Sequence, residues 1–179
     1  FSKEFTPRWL HTALHNKRRQ LKPLLLDQTF LAGLGNIYTD EALHMAKLHP
    51  LATSDSVTAE QAEALHEAIR KVLKAGIRRN GASIDWAYRG GQFQNYFRVY
   101  DREGTACLVC GTEIQKMIVG QRGTHVCPNC QTVRSIMEFN WSILGWIGAI
   151  IFVYIFGLFE GRNQGKKMRI AEESQEKKE

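Results

Sequence analysis

Apolar and polar positions change rhythm several times along the chain, and each change predicts an element. Over residues 6–19, Trp9, Leu10 and Leu14 give one apolar side at helical spacing, with Thr6 placed to cap and Pro7 suited to the first turn. A basic cluster, Lys17, Arg18, Arg19 and Lys22, then precedes the apolar run Leu24-Leu25-Leu26. Gly33 and Gly35 place a turn within residues 27–36, and a second helix is predicted from Asn36 to before Pro50. Thr58 and Gln61 match a capping box. The following Ala62, Leu65, Ile69, Val72, Leu73 and Gly76 line one face of a long helix that Asn80-Gly81 ends. Residues 82–95 have no period and are rich in glycine and aromatics, and residues 96–100 read as a strand leading into a hairpin.

The pattern then changes in kind. Residues 139–159 are 21 positions without a charge, mostly Ile, Phe, Trp, Leu and Gly. As a helix this length spans a hydrocarbon core of about 30 Å, and Trp141 and Trp146 lie toward one end as interfacial aromatics do. The expectation is a transmembrane helix, with a hydrophobic helix buried in an oligomer as the alternative. Residues 160–179 are charged and polar and predict a disordered tail.

Cysteine usage adds chemistry. The only four are Cys107, Cys110, Cys127 and Cys130, two C-x-x-C pairs with sixteen residues between them. Each C-x-x-C turn can aim two sulfurs at one ion, and the interval is long enough to go out and return, so the spacing predicts one structural Zn²⁺ on a β-hairpin. Two disulfides or a redox pair are the alternatives. A redox motif would not need its duplicate, and nothing else suggests secretion. His125 lies inside this hairpin, but four thiolates already fill a tetrahedral site, so it reads as a surface or packing residue. The net charge is +6, and residues 1–134 hold all of it, with 18 Lys/Arg against 12 Asp/Glu. Such an excess is compatible with a polyanionic partner.

Several separate motifs in one order carry a family resemblance. Leu24-Leu25-Leu26-Asp27-Gln28, the run Ala32-Gly33-Leu34-Gly35-Asn36-Ile37-Tyr38-Thr39-Asp40-Glu41-Ala42-Leu43, Val99-Tyr100-Asp101-Arg102-Glu103-Gly104 running into Cys107, and Arg122-Gly123-Thr124 before Cys127-Pro128-Asn129-Cys130-Gln131 together resemble formamidopyrimidine-DNA glycosylase. The related endonuclease VIII branch is less similar. The resemblance covers residues 1–131. It implies a mainly α fold: a helix–two-turn–helix DNA-binding domain over 1–95, with a loop at 81–94 facing the lesion, then a four-cysteine zinc hairpin over 96–131. It also implies a base-excision repair glycosylase and abasic-site lyase acting on oxidised purines in damaged double-stranded DNA. The family's nucleophile is the N-terminal proline of a Pro-Glu start on a separate β-sandwich. This chain starts at Phe1, inside the linker to the second domain, so it is expected to be an inactive DNA-gripping piece whose catalytic half lies outside it.

The same resemblance assigns residues. Lys22 and Asn36 are implied at phosphates beside the extruded nucleotide, with Arg18 on the DNA side and one helical turn from Lys22 if the segment is helical. Asn36 also reads as a plain N-cap. Arg122, at the hairpin tip, is implied to pin phosphates and to assist δ-elimination; an arginine is a poor acid at neutral pH, so electrostatic stabilisation is the better reading. Ser83, Ile84 and Tyr88 are implied loop contacts, in a chain with Gly81-Ala82-Ser83 where the family has Gly-Gly-Thr or Gly-Gly-Ser. A bacterial, nucleoid-associated, monomeric protein of the cytoplasm is expected.

The end of the chain does not fit this family. Six basic residues follow 139–159, and only Arg122 and Arg134 lie in the twenty positions before it, which places the tail in the cytoplasm and the zinc domain on the opposite side from DNA. Two units joined by readthrough, frameshift or gene-boundary error are therefore expected, the second starting at Met137. The alternative is a non-catalytic, membrane-anchored, zinc-dependent DNA-binding module.

Overall fold

Local capping starts the helices where the sequence places them. In the computed structural model, which describes residues 2–83 and 90–132, helix α1 spans Pro7–His15, and Thr6 Oγ1 accepts the N–H of Trp9 at 3.2 Å. Helix α2 is short, Leu21–Leu25, and α3 spans Asn36–Met45. Helix α4, Ala59–Arg78, carries the full capping box: Thr58 Oγ1 accepts from Gln61 N, and Gln61 Oε1 accepts from Thr58 N. It ends where Asn80 and Gly81 take φ values of 53° and 76°.

The apolar faces of these helices share one core. Leu10 and Leu14 of α1, Leu21, Leu24 and Leu25 of α2, Leu43 of α3, and Leu65 and Ile69 of α4 are all 1% exposed or less. Gly76 lets α3 and α4 approach closely: a Cβ there would lie 2.5 Å from the Tyr38 hydroxyl. A second, smaller core of Val99, Cys107, Ile114 and Cys127 supports the cysteine-bearing segment. Its strands β1, Gln115–Val119, and β2, Arg122–Val126, pair antiparallel, with Val119 opposite Arg122. The two-residue turn between them, Gly120 and Gln121 at φ 56° and 62°, has the primed geometry that matches strand twist.

Three expectations are corrected. The first helix stops at His15 rather than continuing to Arg19, because tertiary pairing takes the chain away: Arg19 N donates to Ser54 Oγ, and Gln20 bridges Thr53. Arg18 sits in that exit at φ 44°, so it shares no helical face with Lys22. Residues 96–100 are not a strand; a 3-10 turn covers Phe93–Tyr96, and the N–H groups of Arg98, Val99 and Tyr100 all donate to the Glu41 carboxylate at 2.9–3.0 Å. Those donors serve a side chain rather than a neighbouring strand. Among the described residues no helix is long and apolar enough to cross a membrane. The predicted span 139–159 and tail 160–179 lie outside the described residues, as do Ile84 and Tyr88.

Candidate nucleic-acid interface and metal centre

The four cysteines converge. Their sulfurs lie within 4.8 Å of one another, with Cys107–Cys130 at 3.9 Å, Cys110–Cys127 at 3.5 Å and Cys110–Cys130 at 3.4 Å, and all four thiols are free. A tetrahedral zinc thiolate with bonds of about 2.3 Å needs sulfur separations of about 3.8 Å, so the donor set fits zinc. Backbone amides support it: Val109 N approaches Cys107 Sγ at 3.5 Å and Cys130 N approaches Cys127 Sγ at 3.4 Å. Hydrogen bonds from Thr112 and Asn129 bring the Cys110 thiol down to about 5, while burial and the neighbouring sulfurs push Cys127 and Cys130 up. Crowded thiols of this kind lose their protons together when a dication arrives.

Residues from the helical core hold this centre in place, and sequence reading missed them. His44 Nε2 of α3 lies 3.4 Å from Cys107 Sγ. Burial, with help from Arg98 and Arg102, lowers the imidazole to about 4. The neutral ring with Nε2 protonated can then donate to a thiolate. Gln131, 1% exposed, accepts from Cys127 N and donates to the Leu48 carbonyl, tying the second C-x-x-C turn to the turn that follows α3. His125 is a packing residue, its ring 4.9 Å from that of Tyr100.

Three of the four expected DNA contacts lie at or next to the Gly123 carbonyl. Lys22 Nζ donates to it at 3.1 Å and Asn36 Nδ2 at 3.0 Å, with Arg122 the adjoining residue. Lys22 is not free to grip a phosphate as expected. It is fully buried, and its remaining protons go to Asp40 Oδ1 at 2.6 Å and Thr124 Oγ1 at 2.8 Å. Burial lowers its ammonium from the ordinary value, Asp40 pulls it back, and the Arg122 charge adds to the lowering. Asn36 is not the N-cap, which is Gly35; it is the first residue of α3, whose opening turn has no side-chain cap. Its amide-bearing face therefore stands beside uncapped backbone N–H groups, with Arg122 exposed alongside. Arg18 pairs loosely with Asp55 at 3.6 Å and makes no contact with this group. Ser83 is bonded to the segment that follows Gly90: its hydroxyl donates to Gly91 O and accepts from Gly90 N, and its N–H donates to Gln94 Oε1.

The comparisons with known proteins match this arrangement in two pieces. The formamidopyrimidine-DNA glycosylase H2TH domain matches residues 1–87, and the zinc finger found in FPG and IleRS matches 104–133. These residues belong to the formamidopyrimidine-DNA glycosylase family. The formamidopyrimidine-DNA glycosylase of Roseiflexus sp. (strain RS-1) is 46% identical over 135 residues, covering 73% of this chain and 49% of that relative. The crystal structure of the MutM (Fpg) protein from Thermus thermophilus superposes with a TM-score of 0.70 at 41% identity, covering 75% of this chain and 53% of that one. The Lactococcus lactis Fpg in complex with DNA containing an abasic site gives 0.69 at 40% identity, over 73% and 50%. The chain thus spans about half the length of the curated relatives it matches. Within the family's zinc finger, Cys107, Cys110, Cys127 and Cys130 form the site of one structural zinc.

Proposed function

We propose that this chain grips damaged duplex DNA as the DNA-binding half of a base-excision repair glycosylase and abasic-site lyase acting on oxidised purines. The observation that carries the reading is that Asn36, at the uncapped start of α3, bonds the Gly123 carbonyl, which adjoins exposed Arg122. Free N–H groups at a helix start and the positive end of its dipole suit a phosphate. The second N–H of the Asn36 amide extends that row of donors, and the Arg122 guanidinium can fork onto a neighbouring phosphate. Lys22 acts from behind, holding the donors rather than touching DNA. Solved complexes of family members with lesion-bearing DNA support the partner, and bacterial relatives support a place in the bacterial cytoplasm at the nucleoid.

Base removal belongs to a Pro-Glu start on the catalytic half, which this reading places outside residues 1–179. The chain alone should therefore bind but not react. Duplex carrying a tetrahydrofuran abasic-site analogue is the probe. Arg122→Ala is expected to weaken binding by about tenfold and to lower the salt slope by about one unit. Unchanged affinity and slope would remove Arg122 from the interface, and a borohydride-trapped cross-link to an oxidised-purine duplex would show that the chain does react. The uncharged stretch 139–159 favours a second reading, a membrane-anchored DNA-binding module. Fractionation of the full chain decides it: recovery in the membrane pellet after a carbonate wash supports the anchor, and recovery in the supernatant removes it.

A further inference from the structure

The DNA-gripping reading leaves one buried group unexplained. Asp40 of α3 is 1% exposed and uses both carboxylate oxygens: Oδ1 accepts from Lys22 Nζ at 2.6 Å, and Oδ2 accepts from the His125 backbone N–H at 2.9 Å. From Asp40 the bonds continue in one direction. Lys22 Nζ donates to Thr124 Oγ1 at 2.8 Å, and Thr124 Oγ1 donates to the Arg122 carbonyl at 3.0 Å. The next carbonyl, Gly123, is held from two helices at once, by Lys22 and by Asn36. The carbonyls of Arg122 and Gly123 are therefore both fixed by a relay that begins at Asp40.

A buried ion pair is a weak source of stability compared with apolar side chains of the same volume, because desolvation offsets its attraction. Its directional bonds do something apolar packing cannot, which is to set the angle of a particular backbone. We propose that Asp40 is a positioning residue of the phosphate clamp: by orienting Lys22 and the His125 amide it fixes the backbone of residues 122–123, and so sets Arg122 beside Asn36 and the start of α3. This rests on the clamp reading above. Asp40 touches no DNA; it acts through Arg122.

The test uses the full chain and the tetrahydrofuran duplex. Lys22→Met with Asp40→Leu removes the pair while keeping the volume apolar. That double variant is expected to keep one zinc per chain and a cooperative melting curve, shifted a few degrees lower because the His125 N–H loses its acceptor. It should bind about tenfold more weakly, with the salt slope lower by about one unit. Adding Arg122→Ala should then cost little more, because residues acting as one unit are not additive. Full affinity and slope in the double variant, or losses that simply add to those of Arg122→Ala, would overturn the assignment. If Arg122→Ala alone changes nothing, the clamp reading falls and the inference falls with it; if only Arg122→Ala has an effect, the inference alone falls. Asp40→Asn is the second variant, in case the first loses its metal. Loss of zinc from both would assign Asp40 to holding the finger together and overturn the positioning role.

Discussion

Single buried polar atoms decide much of this structure. Glu41 is 1% exposed and gathers three successive backbone N–H groups, so it joins α3 to the segment that leads into the finger. Burial still pushes its carboxyl above the ordinary value, against the pull of those donors. On sequence alone Asp40, Glu41 and Gln131 look like solvated polar residues, because nothing in their spacing says that another segment will cover them. The cysteines differ: their spacing is itself the geometric requirement of the metal. Gly76 is a similarly local constraint with a tertiary cause. Gly76→Ala would place a Cβ 2.5 Å from the Tyr38 hydroxyl and 2.7 Å from a ring carbon, and that ring is packed against Phe93. Alanine favours the helix by about 1 kcal/mol over glycine, but overpacking costs about 1–3 kcal/mol. The variant is expected to melt several degrees lower, and thermal unfolding followed by circular dichroism checks it.

At the scale of elements, the starts of α1 and α4 were legible because a cap is a local bond between near neighbours. The end of α1 was not, since Ser54 and Thr53, far along the chain, draw residues 19–20 away. The zinc finger should behave as a metal-dependent element. Its core is four residues, two of them cysteines, which is too little apolar surface to fold without the ion. A strong chelator, or Cys127→Ala, is expected to abolish zinc and DNA binding. The helical circular-dichroism signal should largely remain, because α1–α4 share a separate core. Helix loss in step with zinc loss would show one cooperative unit instead. The turn after α3 has its own pH dependence. Buried His49 accepts the Leu51 N–H on Nδ1 at 3.1 Å, and burial lowers its basicity from the ordinary value of 6.5. Below that value the unfolded chain binds a proton that the folded one refuses, so stability falls as pH drops. His49→Asn, which keeps an acceptor but cannot titrate, should lose less melting temperature between pH 7 and pH 5 than the parent chain.

For the whole molecule, both cores fall within the compact unit Phe1–Arg134. Truncation after Arg134 is therefore expected to leave a folded protein with one zinc and undiminished binding of the tetrahydrofuran duplex. Metal analysis and a fluorescence titration check this. Insolubility, or loss of zinc, in the truncated chain would mean that residues 135–179 contribute to the unit.

The sequence by itself determined what depends on near neighbours: three helix starts, the two C-x-x-C turns and their shared metal, the family of residues 1–133, and which residue types could meet a phosphate. Tertiary structure alone decided which of those residues face outward. Lys22 and Arg18 look alike in a basic run. The first is enclosed because Asp40, Gly123 and Thr124 take all three of its protons, and the second stays at the surface, where a left-handed turn leads the chain to Ser54. A cation's role follows from the partners that surround it, and here those partners lie 18, 101 and 102 positions away along the chain.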